Sequence, residues 1–500
     1  MFYLVVAVVF LLFIITWGSY RVVAGYVVPP AHFPKNVPTI PFYYTLLPLL
    51  KEVDQEGLWH KYLKKPLTEH GAVKIYFGGA WNVLITRPTY IAQVFKQDDV
   101  FLKAGNHVKN PHSVLALYTG ENIISSIGEN WKRFSYIVKP GLQADVDTTI
   151  IVKNAEKLIK LLLDEQARKG AVIMSSPLQQ YTLANLSEAL LGSSFNTIGN
   201  PEAPMTKLQT EIKPHIFNPF YLNFPMLDHF KIASREEARR LVRKFKAELA
   251  NIVLSGHHHK HPEGMDSSHL GCRLVTAYET GILNRYHFEQ NCVSTFLAGH
   301  ENPQILLLSM MRMLAEHQDL QVQLRQKILD LSPEDQLSAS ALANLPLLTS
   351  VIYETLRLYP PISQLLNRRT TEDVLLGDNI LLQAGTYVGY NGYTTNRDKE
   401  FWGPDAEEFR PSRWGETIED INSLFRRASS KSTFISFHGG KRTCLGIKFA
   451  MTGARLSMSM FLRNLEWQLD PTWPKKMTPA GPLMPKMLRL QFKKLEAMES

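Results

Sequence analysis

The stretch Phe437-His-Gly-Gly-Lys-Arg-Thr-Cys-Leu-Gly446 decides how this chain reads. It sets one cysteine in a glycine-rich turn and fits the spacing F-x-x-G-x-R-x-C-x-G at Phe437, Gly440, Arg442, Cys444 and Gly446. Glycines let backbone pass close to a flat group and turn its amides toward a sulfur. Such hydrogen bonds tune a thiolate ligand. Arg442 offers a guanidinium to a carboxylate. The apolar periodicity of residues 447–462 predicts a helix that starts just behind Cys444, and a helix N-terminus stabilises a thiolate. A merely buried cysteine would need none of the other matched residues.

Two stretches upstream add to this. Glu354-Thr-Leu-Arg357 lies on a predicted helix that ends before Tyr359-Pro360-Pro361, and its i, i+3 spacing puts both charges on one face. Phe409-Arg-Pro-Ser-Arg413-Trp414 follows. In this order and approximate spacing, the three stretches resemble cytochrome P450, the haem-thiolate monooxygenases, from one end of the chain to the other. The resemblance implies a mainly α fold with a small β region (α+β) and haem b (iron protoporphyrin IX) as cofactor. It implies Cys444 as the axial iron ligand, with Phe437, Gly440 and Gly446 shaping its loop. Glu354, Arg357 and Arg413 would form a structural network behind the haem. Arg442, Arg368 and Trp131 would meet the propionates. One departure stands out: Trp131-Lys-Arg-Phe-Ser135 puts Ser135 where the family commonly has an arginine.

Residues 288–317 read as one long helix containing Leu297-Ala-Gly-His-Glu-Asn-Pro-Gln304. The family pattern here is A/G-G-x-D/E-T-T/S. Ala298, Gly299 and Glu301 fit, Asn302 stands where threonine is usual, and Pro303 follows. Pro303 has no N–H, so the Gly299 carbonyl four residues back loses its helix partner; such a proline costs roughly 3 kcal/mol unless compensated. The freed carbonyl is open to water or dioxygen. Gly299, Glu301, Asn302 and Pro303 are therefore the candidate catalytic residues. Asn302 lacks a hydroxyl proton, which leaves Glu301, water or the substrate itself to deliver protons. The alternative is a kink that serves packing only.

This A-G-H-E-N-P-Q variant narrows the resemblance to a fungal branch of the family, the spore-wall N-formyltyrosine oxidases. Residues 33–43, 71–87, 118–125, 341–348, 387–391 and 478–485 are similar to that branch as well. The branch implies oxidative coupling of two N-formyltyrosines to N,N′-bisformyl dityrosine, in dityrosine biosynthesis during sporulation. Hydroxylation of another tyrosine-derived or secondary metabolite stays open, and so does a non-catalytic haem-binding protein. Family position implies a pocket from residues 107–122, 215–227, 298–302, 362–366 and 483–484. Phe217, Phe220, Tyr221 and Phe224 fit either that pocket or a membrane-facing lid. Lys109 and His107 are candidates for a substrate carboxylate. No flavin or nicotinamide segment follows the cysteine motif, so NADPH-cytochrome P450 reductase is expected in trans. Lys132, Arg133, Arg426, Arg427, Lys431, Lys441 and Lys448 would steer it.

Composition bounds the rest. The 500 residues are 45% hydrophobic and 20% charged, which excludes wholesale disorder. A mean hydropathy of −0.13 excludes a polytopic membrane protein. Three cysteines exclude a disulfide scaffold. The charge of +9 does not choose among partners, and no basic-aromatic groove points to nucleic acid. Residues 1–20 carry no charged side chain and are followed by Arg21. They read as a single-pass transmembrane anchor in the endoplasmic reticulum membrane, with the catalytic domain cytosolic and monomeric. Residues 21–44 read as a stiff proline-rich strap and 45–500 as the catalytic domain. The patch from Gly256 to Pro262 reads as a solvated loop, with a metal site as the alternative.

Overall fold

A computed structural model describes residues 10, 13, 14, 16–18, 21, 23–50, 53–260 and 269–495, with the side chains of 257–260 outside the description. Strands β1 (Ala72–Phe77) and β2 (Ala80–Ile85) form a hairpin over Gly78-Gly79, both at positive φ, as a tight reversal requires. With β3 (Phe101–Lys103), β4 (Gln364–Thr370) and β5 (Tyr387–Asn391) they build one sheet in the order β1-β2-β5-β4-β3. Its one parallel pairing, β2 with β5, joins strands some 300 residues apart and needs the whole helical region as its crossover. The far edge pairs Lys103 directly with Arg368.

The helices that matter here are α1 (Gly128–Gln143), α2 (Thr148–Lys169), α3 (Ser175–Asn185), α4 (Pro204–Ile216), α5 (Ala233–Lys260), α6 (Arg285–Glu316), α7 (Pro346–Leu358) and α8 (Ile447–Asn464). Their ends follow local chemistry. Asn284 accepts from the His287 N–H at 2.8 Å to open α6, and Asp147 accepts from the Thr149 N–H at 2.9 Å to open α2. Pro346 sits in the first turn of α7, and Tyr359-Pro360-Pro361 ends it. α6 threads two apolar clusters. Phe288, Val293 and Phe296 pack with α4 and α5, while Leu307, Met310 and Leu314 pack with α2, α7 and α8. Burying each such side chain contributes roughly 1.5–3 kcal/mol, so α6 is the axis on which the site hangs. The mainly α architecture with a small sheet is as expected.

The anchor is corrected. Among the described residues no helix is long and apolar enough to cross a membrane. A bilayer core takes about 20 consecutive apolar residues at about 1.5 Å each. The transmembrane span, the membrane localisation and the anchored form of the fold are therefore withdrawn; most of residues 1–20 lie outside the described residues. The strap is not an extended rod. It makes turns, buries Phe33 and Val37, and docks on β1 through Ile40 N–H to the Lys74 carbonyl at 2.8 Å. The histidine patch is not a loop at its start, because α5 runs on to Lys260; residues 261–268 lie outside the description.

Candidate functional site

Cys444 is held by its own turn. Its N–H donates to the Phe437 carbonyl at 2.9 Å. Gly440 has φ +65°, and a Cβ there would lie 2.5 Å from the Phe95 carbonyl oxygen, so only glycine fits. α8 begins at Ile447, behind the sulfur, as the periodicity requires. The thiol is exposed, but to an internal cavity. Burial among protein atoms pushes its pKa up, and the Gly446 N–H directed at the sulfur opposes that shift.

The cavity has a volume of about 550 Å³. Phe437, Arg442, Cys444 and Phe449 form one wall, and Ala298, Gly299, Asn302 and Pro303 of α6 face them. Trp131 and Ser135 of α1 close an edge, where Arg442 stacks over the Trp131 ring at 4.4 Å. The fold thus brings together, in one chamber, the cysteine turn and the Pro303 segment of α6 more than a hundred residues away.

Cations gather at one edge of the chamber, where Lys103 and Arg442 line it and Arg368 lies behind them, outside the lining. Arg442 donates to the Ser126 carbonyl, and Arg368 donates through one Nη to the Phe101 carbonyl at 3.0 Å. Arg368 is 1% exposed, and its Nε has no partner. Lys103, opposite it in the sheet, lines the cavity. Burial, with Arg368 and Arg442 adding repulsion, drives the Lys103 ammonium well below the usual lysine range. Burial and Arg368 together push Arg442 down to about 10. His438, bonded to the Tyr390 hydroxyl at 2.9 Å, is pushed to about 3 by burial and then by Lys103 and Arg368. Among the described residues, Asp98 is the carboxylate acting on this group, as a lesser influence. Such a cluster fits a group carrying more than one carboxylate, and the largely apolar cavity beside it has room for a large cofactor. Sequence reasoning missed Lys103 and His438. The inward alternation of Phe101 and Lys103 was the available signal.

The second charged group is fully paired. Glu354 accepts bidentately from Arg357 at 2.8 and 2.8 Å, from Arg413 Nε at 2.8 Å, from the Arg410 N–H at 2.9 Å and from the Trp414 indole at 3.0 Å. Arg357 also caps the carbonyls of Asn396 and Ala406. Burial alone would raise the Glu354 carboxyl, but the bonds from Arg357 and its neighbours hold it below the usual range.

Other expected residues lie elsewhere. Glu301 does not line the chamber. It turns to Lys213 of α4 at 2.9 Å, which holds its carboxyl down against burial. Its neighbour His300 is buried, bonded to Gln209 at 2.7 Å, and pushed down to about 4 by burial. Arg133 points away from the chamber toward Asn130 and His287, so it does not take the place of the arginine missing at Ser135. Lys109 is spent on the β1–β2 hairpin, donating to the Phe77 carbonyl at 3.1 Å and to Asn82 at 3.0 Å. Phe217 and Phe220 are exposed. Of the basic surface residues, Lys132, Lys441 and Lys448 each hold an acidic partner.

Comparison with known proteins agrees with this geometry. A family model described as Cytochrome P450 matches residues 34–493. The chain is 39% identical over 470 residues to Cytochrome P450-DIT2 of Saccharomyces cerevisiae, covering 93% of this chain and 94% of that one. It is 36% identical over 456 residues to Cytochrome P450 monooxygenase xanG of Aspergillus fumigatus, covering 89% and 85%. Among solved structures, the haem domain of cytochrome P450DA has the same fold, with a TM-score of 0.75 at 17% identity, covering 93% of this chain and 98% of that one. The chain-wide match to a yeast protein accords with the fungal branch to which the sequence pointed. A family model over most of the chain and relatives this similar across nearly whole chains establish that the chain belongs to the cytochrome P450 family, haem-thiolate monooxygenases that use dioxygen and electrons.

Proposed function

We propose that the protein binds haem b and oxidatively couples two N-formyltyrosines to N,N′-bisformyl dityrosine, with electrons from NADPH through a reductase in trans. The observation that carries this reading is Asn302-Pro303 on the cavity wall, where the family usually places a hydroxyl. It stands in a chain that matches a yeast relative over 93% of its length.

Haem family membership and the cavity agree. Cys444 would ligate the iron, with the Gly446 N–H tempering the sulfur. Arg442, Arg368 and Lys103 would take the propionates, and Trp131 would lie beside Arg442. Lys103 supplies the charge that Ser135 does not. Phe437 and Gly440 shape the loop, and Glu354, Arg357 and Arg413 brace the layer behind it. A thiolate-ligated haem supplies reductive activation of dioxygen when bound.

The chain's own residues then have three tasks. The apolar wall formed by Ala298, Leu306 and Ile362 excludes water from the reacting centre. The Asn302 amide donates to the Ala298 carbonyl at 3.5 Å and lines the chamber, where its oxygen would take a hydrogen bond from a substrate or water. Glu301, engaged by Lys213, presents no acid to the chamber. A phenol suits such a wall, because each substrate O–H gives up its own hydrogen. The balance is two phenols, one O2, one NADPH and one proton going to one carbon–carbon-linked dimer, two waters and NADP+.

Membranes or extract containing the protein, reductase and NADPH, incubated with N-formyltyrosine, test the reading by product mass. A dimer two hydrogens lighter than two substrates supports it. A monomer heavier by one oxygen overturns it in favour of hydroxylation, the second reading, which similarity to a protein named as a monooxygenase favours.

A further inference from the structure

One wall of the chamber is the link Pro361-Ile362-Ser363 between α7 and β4, whose Pro361 and Ile362 line the cavity. Backbone bonds hold this link from behind. The Leu483 N–H donates to the Pro361 carbonyl at 3.0 Å, and the Tyr393 N–H donates to the Ser363 carbonyl at 3.2 Å. Leu483 is 1% exposed and packs with Trp59 and Met477. It belongs to a return of the chain, residues 478–484, closed by the Thr478 N–H donating to the Met484 carbonyl at 3.0 Å. Ile362 thus projects from a link whose two neighbouring residues are tied on the outer side.

A single side chain joins the link to that return. Gln55 Nε2 donates to the Pro482 carbonyl at 3.2 Å and to Thr478 Oγ1 at 3.1 Å. Gln55 Oε1 accepts from the Ser363 hydroxyl at 3.0 Å. A backbone carbonyl can only accept, so Pro482 fixes which end of the amide is nitrogen and leaves the oxygen for Ser363. Ser363 is 7% exposed, and a buried hydroxyl is costly unless it is bonded. The Gln55 N–H adds a further tie, donating to the Thr478 carbonyl at 3.1 Å. The short helix Gln55–Leu58 that carries the amide is itself fixed. Asp54 accepts from the Gly57 N–H at 2.7 Å, Glu56 accepts from the Tyr393 hydroxyl at 2.9 Å, and the Trp59 indole donates to Thr394 at 2.7 Å.

We propose that Gln55 is a positioning residue for substrate fit: its amide holds residues 361–363 back against residues 478–484 and so sets how far Ile362 projects into the chamber. Gln55 is not among the chamber-lining residues; it acts through the Ser363 hydroxyl and through the return that supplies the Leu483 N–H. Removing the amide leaves Ser363 without its acceptor and the Pro482 carbonyl without a donor. The link is then free to lean into the open volume before it. A bulky ligand loses room, and a small one does not. The inference rests on the chamber holding haem, as family membership implies, and not on which substrate is coupled.

The test uses haem-loaded wild type, Gln55→Leu, Ser363→Ala and the double variant, each titrated with imidazole and with phenylimidazole. Both compounds bind a haem iron through nitrogen, and the phenyl group adds bulk to the second. The shift of the haem absorption band reads each affinity. Gln55→Leu should weaken phenylimidazole about threefold to tenfold, the span of one lost hydrogen bond. Imidazole should change by less than about twofold, with haem content and the reduced carbon monoxide band as in wild type. Ser363→Ala should weaken phenylimidazole in the same direction. The double variant should be no weaker than Gln55→Leu alone, because both changes cut the same bond. Equal weakening of the two azoles, wild-type affinity for phenylimidazole in either single variant, or effects that multiply in the double variant would overturn the proposal. If Gln55→Leu fails to fold, the two titrations of Ser363→Ala decide the matter. No substrate enters these titrations, so the absence of a coupled dimer would sink the coupling reading and leave this one standing.

Discussion

Two buried charge clusters flank the cysteine turn, and they are built on opposite rules. Around Glu354, the charges and donors close on one another: every strong donor of Arg357 and Arg413 has a named acceptor. Around Arg368 the same kinds of side chain repel, and a guanidinium Nε is left without a partner. A closed network is a structural joint. An open one, two of whose members (Lys103 and Arg442) line a cavity, is what an anionic ligand would complete. The contrast separates bracing residues from ligand-holding residues without reference to any relative.

Breaking the link between the two regions should have the largest effect. Cys444→Ser should abolish the thiolate-type spectrum of the reduced carbon monoxide complex and all turnover, because an alcohol is a poor anionic donor to iron. A variant that keeps that spectrum would remove Cys444 from the site.

Opening the closed cluster comes next. Glu354→Ala leaves Arg357 and Arg413 buried without a counter-ion, at a cost of about 3–5 kcal/mol. Little haem-loaded protein should accumulate, as measured by haem per protein and by yield. The pH dependence follows from the sign of the Glu354 shift. Its folded pKa is depressed, so its contribution is complete above the ordinary glutamate value and is lost as pH falls through the folded value. Unfolding midpoints of wild type should therefore decline on acidification in that window. Glu354→Gln should decline less steeply there, and parallel curves would show that the carboxylate is not the titrating group.

Diluting the open cluster should do the reverse. Lys103→Met removes a repelled ammonium, so haem-free protein should unfold at the same temperature as wild type or higher. Haem-loaded protein should lose its haem faster to an acceptor, by an amount equivalent to about 1.5–3 kcal/mol for a hydrogen bond to a charged group. A lower midpoint in the haem-free state would mean that Lys103 is structural.

The smallest effect is expected where neither cluster is touched. Asn302→Thr should leave dimer formed per NADPH within about tenfold, a barrier change of about 1.4 kcal/mol or less, because the substrate phenols carry their own hydrogens. Pro303→Ala should do more harm, since it returns an N–H to the Gly299 carbonyl. The opposite ranking would make Asn302 the essential polar group.

Much of this contrast was legible before folding. The Glu354–Arg357 spacing, the Arg413-Trp414 pair and the cysteine turn are local patterns, and each kept its place in space. Trp131 and Arg442, which the resemblance assigns to the propionates, stack on one another at 4.4 Å. What was not legible is where α6 aims its side chains. Gly299, Asn302 and Pro303 face the chamber, while Glu301, next to Asn302 and two residues from the other two, faces α4 and meets Lys213. One helical residue turns the direction by about 100°, so a motif fixes which residues occur together and not which way each points.

The sequence by itself determined the family, the α+β class, the cysteine ligand candidate, the proline inside α6 and the closed network. These rest on covalent facts and short spacings: a proline without an N–H, glycines where no Cβ fits, charges three residues apart. The tertiary structure alone decided that Lys103 opposes Arg368, that Lys213 engages Glu301, and that Gln55 joins Ser363 to the Pro482 carbonyl. Those contacts join segments tens to hundreds of residues apart, and only packing and burial, which act after the chain has closed on itself, determine which of them form.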